Sequence, residues 1–151
     1  MKKTLAPLLV TLSLAAVPAM AAPCVSPADE MTLNARVLQT ELMVAALSCN
    51  EQKRYNAFVR TFRGQIAAQS ASLRRFFARA YGSDGTRQLN AFVTRLANDA
   101  SMRSADIGKQ SYCASAGNLF AEAIATPPGA FARLARNAQI RGRHGFARCN
   151  R

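Results

Sequence analysis

The chain has 151 residues, 50% of them hydrophobic, and it carries 20 Lys and Arg against 8 Asp and Glu, a formal net charge of +12. This length predicts a single domain, and the apolar content excludes a compositionally disordered chain. One His and eight carboxylates leave few ways to build a catalytic or metal centre, so we expect neither a cofactor nor a metal.

The N-terminal segment, residues 1–21, predicts a signal peptide. Two lysines precede an apolar stretch from Leu5 to Val17, and Pro18-Ala19-Met20-Ala21 supplies the small-residue pattern that signal peptidase recognises. The stretch is shorter than the roughly 20 apolar residues that cross a bilayer, and a membrane anchor is the alternative. We expect cleavage after Ala21 and a periplasmic or secreted protein with no transmembrane span. Removal of the two lysines lowers the formal net charge from +12 to +10.

Helical periodicity dominates the rest of the chain, and no strand-like alternation persists. The segment Ser26-Pro27-Ala28-Asp29 predicts a helix start, because it supplies a hydroxyl N-cap, a proline at the first position and an acid in the first turn. Apolar residues then recur at spacings of three and four up to Cys49. This helix is predicted to have one apolar face that ends at Cys49.

Residues 51–81 predict one long helix with a basic face. On a helical wheel the large apolar side chains fall on one side, and Lys53, Arg60, Arg63, Arg74 and Arg75 fall on the other. The phase continues across the glycine at position 64, which favours a single helix. A break near residues 64–70 is the main alternative.

Three further helices are predicted after the turn Gly82-Ser83-Asp84-Gly85. The third is centred on residues 89–96 and fades near 101–104, the fourth covers about 106–125, and a short fifth is marked by Phe131 and Leu134. The fold class is all-α, a bundle of four to five helices braced by disulfides. We assign the helical domain to residues 22–129 and a short helix with a basic, Arg-rich tail to residues 130–151.

The four cysteines predict two disulfides, since an even number in an exported chain is typical of a disulfide framework. Three pairings are possible. Cys49 and Cys113 both lie in helix-like apolar segments, which favours pairing them and leaves Cys24 with Cys149 to join the two ends. A zinc site is the alternative, but it lacks a C-x-x-C pair or clustered histidines.

Candidate catalytic residues are few, and no nucleotide-binding, α/β-hydrolase, zinc-protease or calcium-loop motif occurs in the sequence. His144 lies in a glycine-broken basic segment and is predicted to be a solvated tail residue rather than a catalytic base. Glu41 and Glu122 are the candidate acids of a small envelope hydrolase acting on peptidoglycan. Glu41 shares its helical face with no other acid and is first interpreted as a solvent-facing residue.

Basic residues are the main functional clue, because six Arg and no acid follow position 130. They predict binding to an anionic lipid or lipopolysaccharide surface or to another envelope protein. The alternative to an anionic partner is that the arginines reflect only a compositional bias in an Ala-rich chain. Nucleic acid is not expected as a partner, because the chain is exported and lacks aromatic or helix-turn-helix signals. The candidate anion-binding residues are Arg60, Arg63, Arg74, Arg75, Arg141, Arg143 and Arg148.

Several segments between residues 37 and 120 resemble a family of short secreted bacterial proteins that has no assigned function. The segments are Leu38–Cys49, Tyr55–Val59, Phe76–Gly82, Leu96–Asn98 and Tyr112-Cys113. The resemblance implies an export signal and a Cys49–Cys113 pairing, and it implies no activity. We therefore expect a non-catalytic exported protein that acts through its basic surface, with the hydrolase as the alternative.

Overall fold

A computed structural model describes residues 23–137 and 139–149, and the predicted signal peptide, residues 1–21, lies outside them. Within the described ranges there is no strand, and the prediction of an all-α bundle of four to five helices braced by disulfides is confirmed. No helix of this part of the chain is long and apolar enough to cross a membrane. Five helices and a final single turn succeed one another: α1 (Pro27–Cys49), α2 (Gln52–Thr61), α3 (Arg63–Tyr81), α4 (Gly85–Asp106), α5 (Lys109–Ala125) and α6 (Phe131–Leu134).

Helix α1 is the central element of the bundle. Its start follows the sequence prediction, since Ser26 Oγ accepts a hydrogen bond from the Asp29 N–H (3.2 Å) and Pro27 occupies the first position. The helix packs against α2, α3, α4 and α5, so its burial extends well beyond the one apolar face that was predicted. The buried positions include four polar residues, Thr32, Asn34, Thr40 and Glu41.

The single helix predicted over residues 51–81 is wrong, because the chain bends at Phe62, ahead of the region 64–70 where the alternative break was placed. Phe62 has φ −106° and ψ 19° between α2 and α3. Its ring is fully buried and contacts the rings of Phe58 and Phe131, with centroids 5.3 and 5.2 Å away. The bend lets α2 pack on α1 and α5 while α3 packs on α1 and α4. The position of this helix boundary depends on tertiary packing, which helical periodicity in the sequence does not reveal.

The remaining boundaries are close to those expected. The turn after α3 contains Gly82 at φ 54°, a conformation that favours glycine. Helix α4 continues to Asp106, past the point near residues 101–104 where it was predicted to fade, and α5 begins only at Lys109 after Gly108 at φ 78°.

Gly85 provides a test of how closely α4 packs on α3. A Cβ added at Gly85 would lie 2.9 Å from the Phe77 carbonyl oxygen, a backbone atom that cannot turn aside. We expect Gly85→Ala to lower the free energy of unfolding in urea by about 1–3 kcal/mol. Gly64→Ala is the matched control, because nothing lies within 4 Å of its added Cβ and alanine favours a helix by about 0.5–1 kcal/mol. Equal effects of the two substitutions would contradict the packing.

Two disulfides join distant parts of the chain, Cys24–Cys149 and Cys49–Cys113. The pairing favoured by the sequence is therefore confirmed. Cys49–Cys113 joins the end of α1 to α5. Beside Cys24–Cys149, the Val25 N–H donates to the Ala147 oxygen (2.9 Å) and the Cys149 N–H donates to the Val25 oxygen (3.2 Å). These bonds hold the C-terminal segment against the start of α1.

The C-terminal segment, which we call the tail (residues 135–137 and 139–149), packs on the bundle along much of its length. Ile140 and His144 are buried, and the Arg95 guanidinium donates to the His144 carbonyl oxygen (2.8 Å). The Phe146 ring lies against aromatic rings of α3 and α4, with centroid distances of 5.5 Å to Phe76 and 5.8 Å to Phe92. The prediction of a solvated His144 is wrong. Aromatic packing of Phe146 and the Cys24–Cys149 disulfide hold the tail against the bundle.

Candidate functional site

The predicted anion-binding arginines differ in how they are partnered. Arg60, Arg63, Arg74 and Arg75 are exposed on α2 and α3, and none of them forms a salt bridge within the described residues. Arg75 donates to the Ser72 hydroxyl (2.9 Å). These four side chains are available to an external anion, and we call them the helix arginines.

Two of the three predicted tail arginines form salt bridges with carboxylates of α1. Arg148 makes a bidentate contact with Glu30, Nε to Oε2 at 2.9 Å and Nη2 to Oε1 at 2.7 Å. Arg143 Nη1 donates to Glu41 Oε1 (3.2 Å). The partners are 118 and 102 residues apart in sequence, so no local pattern brings them together.

A cleft of about 330 Å³ lies between the first turns of α1 and the tail. Three arginines line it, Arg136, Arg141 and Arg148, together with Glu30 and Asn34. Arg148 pairs with Glu30, whereas neither Arg136 nor Arg141 has a salt-bridge partner in the described part of the chain, so the lining carries three arginines and one carboxylate. We call this site the arginine cleft. An excess of planar, permanently charged donors suits phosphate or carboxylate groups.

Asn34 adds a buried polar group to the arginine cleft. Its side chain is only 3% exposed, and its Oδ1 has no hydrogen-bond partner among the described residues. Buried amides are normally hydrogen-bonded, so this atom is suited to a hydroxyl or water brought in with a ligand. Asn34 and Arg136 were not among the predicted site residues. Residues 30, 34 and 41 fall within 40° on a helical wheel, and this polar row is the signal in the sequence that could have identified Asn34; no such row contains Arg136.

Glu41 lies in a second, smaller cleft, and the prediction that it faces solvent is wrong. It is 7% exposed, because α4, α5 and the tail cover this part of α1. Its Oε1 accepts hydrogen bonds from both Arg103 and Arg143. Tyr112 of α5 lines the same cleft.

No protein-family model, curated protein or solved structure matches the chain. Its function is therefore inferred from the chemistry of the two clefts and the helix arginines.

The two candidate acids of the hydrolase alternative are engaged in structural contacts. Two guanidinium groups donate to Oε1 of Glu41, whereas a general acid needs a protonated carboxyl group facing the substrate. Glu122 is exposed and accepts a hydrogen bond from the Asn137 amide. Among residues 23–137 and 139–149, no three His, Cys, Asp or Glu side chains gather as a metal site. Both candidate carboxylates are therefore occupied by contacts within the chain.

His144 acts as a buried hydrogen-bond acceptor within the tail. Its Nδ1 accepts from the Phe146 N–H (3.1 Å), and the two rings stack. Burial is the main cause that lowers the pKa of His144; Arg95 and Arg148 lower it further, whereas Glu30 acts in the opposite direction. His144 is therefore neutral at pH 7, and protonation of Nδ1 would break its bond to Phe146.

Acidification is expected to destabilise the folded chain through His144. The unfolded chain takes up a proton at about pH 6.5, but the folded chain takes it up only at lower pH. The stability present above about pH 6.5 is therefore lost as the pH falls through the folded pKa. Urea unfolding between about pH 7 and about pH 5 measures this slope. His144→Gln should flatten the slope, since the sequence has no other His, and an unchanged slope would contradict the assignment.

Proposed function

We propose that the protein is an exported, non-catalytic helical module that binds phosphate groups of anionic envelope lipids, including lipopolysaccharide, through its basic surface. The observation that carries the proposal is the arginine cleft, which is lined by Arg136, Arg141 and Arg148 and by a single carboxylate, that of Glu30. Guanidinium groups pair with phosphate oxygens through two parallel hydrogen bonds, which gives affinity and orientation.

The distribution of charge supports a surface as the partner. The helix arginines are exposed and lack salt bridges within the described residues, and each basic residue near an anionic bilayer contributes about 1 kcal/mol of attraction. The arginine cleft would hold individual head groups, while the helix arginines add attraction that depends on salt. Two disulfides fit an oxidising compartment, where such lipids are exposed.

Co-sedimentation of the oxidised chain with vesicles tests the proposal. We expect binding to vesicles that contain phosphatidylglycerol or lipopolysaccharide, no binding to phosphatidylcholine vesicles, and a loss of binding as the salt concentration rises. Absence of binding to anionic vesicles at low salt would overturn the proposal. Equal binding to neutral vesicles would also overturn it, because it would indicate apolar rather than electrostatic attachment.

A further inference from the structure

A second cleft, of about 60 Å³, lies where α1, α4, α5 and the tail meet. All four elements contribute polar side chains, among them Glu41 from α1, Arg103 from α4, Tyr112 from α5 and Arg143 from the tail. Ala116 and Leu119 form part of an apolar wall. We call this site the Glu41 cleft. A small cleft with apolar walls and a few converging polar groups has the composition of a ligand site.

The charges in the Glu41 cleft do not balance. Arg103 and Arg143 both donate to the same oxygen, Oε1 of Glu41, so two positive charges share one negative charge. Buried or half-buried charges are costly unless they are compensated. Arg103 is half-buried and Arg143 is 37% exposed, so solvent compensates part of this excess and the cleft can accept one further negative charge.

Two hydrogen-bond donors in this cleft are unused. Tyr112 is 6% exposed, and its hydroxyl has no hydrogen-bond partner among the described residues; the same holds for the buried Nε of Arg103. Burial is the main cause that raises the pKa of Tyr112, with Glu41 adding to the rise and the two arginines opposing it. The hydroxyl keeps its proton and can donate it in a hydrogen bond. Both unused groups thus match the oxygens of an anion.

We infer that the Glu41 cleft binds the carboxylate of a small organic acid, which accepts hydrogen bonds from Tyr112 Oη and Arg103 Nε and compensates the excess positive charge. The carbon end of the acid lies against Ala116 and Leu119. The volume of about 60 Å³ suits an acid of a few carbon atoms rather than a sugar or a lipid head group. This site uses neither Arg136 nor Arg141 and is independent of lipid binding.

Titration of the oxidised chain with acetate and propionate, followed by NMR at constant ionic strength, tests this inference. We expect saturable shifts of the Arg103 Nε–H resonance and tighter binding of propionate than of acetate, because the longer acid covers more of the apolar wall. Tyr112→Phe removes one hydrogen bond to a charged group and should weaken binding about ten-fold or more. Tyr55→Phe is the matched control, since Tyr55 does not line the cleft, and it should leave the affinity unchanged.

A second variant keeps the test decisive if Tyr112→Phe does not fold. Arg143→Gln removes the excess positive charge while Arg103 still pairs with Glu41, and it should also abolish saturable binding. The inference would be overturned by shifts that do not saturate, by shifts that chloride reproduces, or by shifts that both variants retain. Water would then be the partner of these donors. Saturable binding of phosphate without binding of acetate would overturn the assignment to a carboxylate.

Discussion

Replacing Cys24 and Cys149 together with alanine is expected to lower the free energy of unfolding by about 5 kcal/mol, and Cys49→Ala with Cys113→Ala by about 4 kcal/mol. The reason is chain entropy, because the disulfides close segments with sequence separations of 125 and 64 residues. A domain of this size is commonly stable by about 5–15 kcal/mol, so either loss is a large share of the total. Urea unfolding of each oxidised double variant measures the change. A loss under about 1 kcal/mol in both would contradict the disulfide framework.

The two double variants should differ in which part of the molecule shows faster hydrogen exchange. Without Cys24–Cys149, the tail is held to the start of α1 by the two backbone bonds of Val25 and by the Arg148–Glu30 contact. Hydrogen exchange is expected to increase in the tail of this variant before it increases in α1. Without Cys49–Cys113, the increase is expected at the end of α1 and the start of α5. The same exchange pattern in both variants would contradict separate structural roles.

Phe62→Ala is expected to lower the free energy of unfolding by about 3–5 kcal/mol. The ring is fully buried at the bend between α2 and α3 and contacts Phe58 and Phe131, so its removal leaves a cavity where three elements meet. Phe62→Leu retains most of the volume and should cost less than about 1.5 kcal/mol. Tyr55→Ala is a second control, because Tyr55 lies on α2 and is only half-buried. A loss for Phe62→Ala no larger than that for Tyr55→Ala, measured by urea unfolding, would show that the bend does not depend on this ring.

Local signals in the sequence predict much of the fold. The cap at Ser26 and the proline after it identify the start of α1, and glycines identify the turn before α4, because both depend on backbone geometry within a few residues. The spacing of apolar residues predicts helices for the same reason. The two disulfides followed from an even cysteine count and from the apolar segments around Cys49 and Cys113.

The features that were mispredicted depend on contacts between distant residues. The bend at Phe62 occurs where its ring packs against Phe131, and helical periodicity within residues 51–81 contains no information about that contact. Glu41 was assigned to solvent because its partners, Arg103 and Arg143, belong to other elements. His144 was assigned to solvent because glycines and arginines surround it in sequence, whereas aromatic packing buries it in the fold. The arginine cleft is likewise built from residues of α1 and the tail that only the folded chain brings together.

The arginine cleft exists only when the tail is docked, since Arg136, Arg141 and Arg148 belong to the tail while Glu30 and Asn34 belong to α1. The Cys24–Cys149 disulfide and the Arg148–Glu30 contact both hold this arrangement. The proposed lipid binding through the cleft is therefore expected to depend on the oxidised state of the chain. Binding through the helix arginines alone would not depend on that disulfide.

Vesicle binding by charge-matched variants tests the role of the arginine cleft most directly. Arg136→Gln with Arg141→Gln removes two cleft charges that form no salt bridge within the described residues, and Arg133→Gln with Lys109→Gln removes two charges that do not line the cleft. We expect the first pair to weaken binding to phosphatidylglycerol vesicles at least about ten-fold at low salt, and the second pair to weaken it much less. Equal weakening by the two pairs would contradict a specific cleft and would attribute binding to net charge alone.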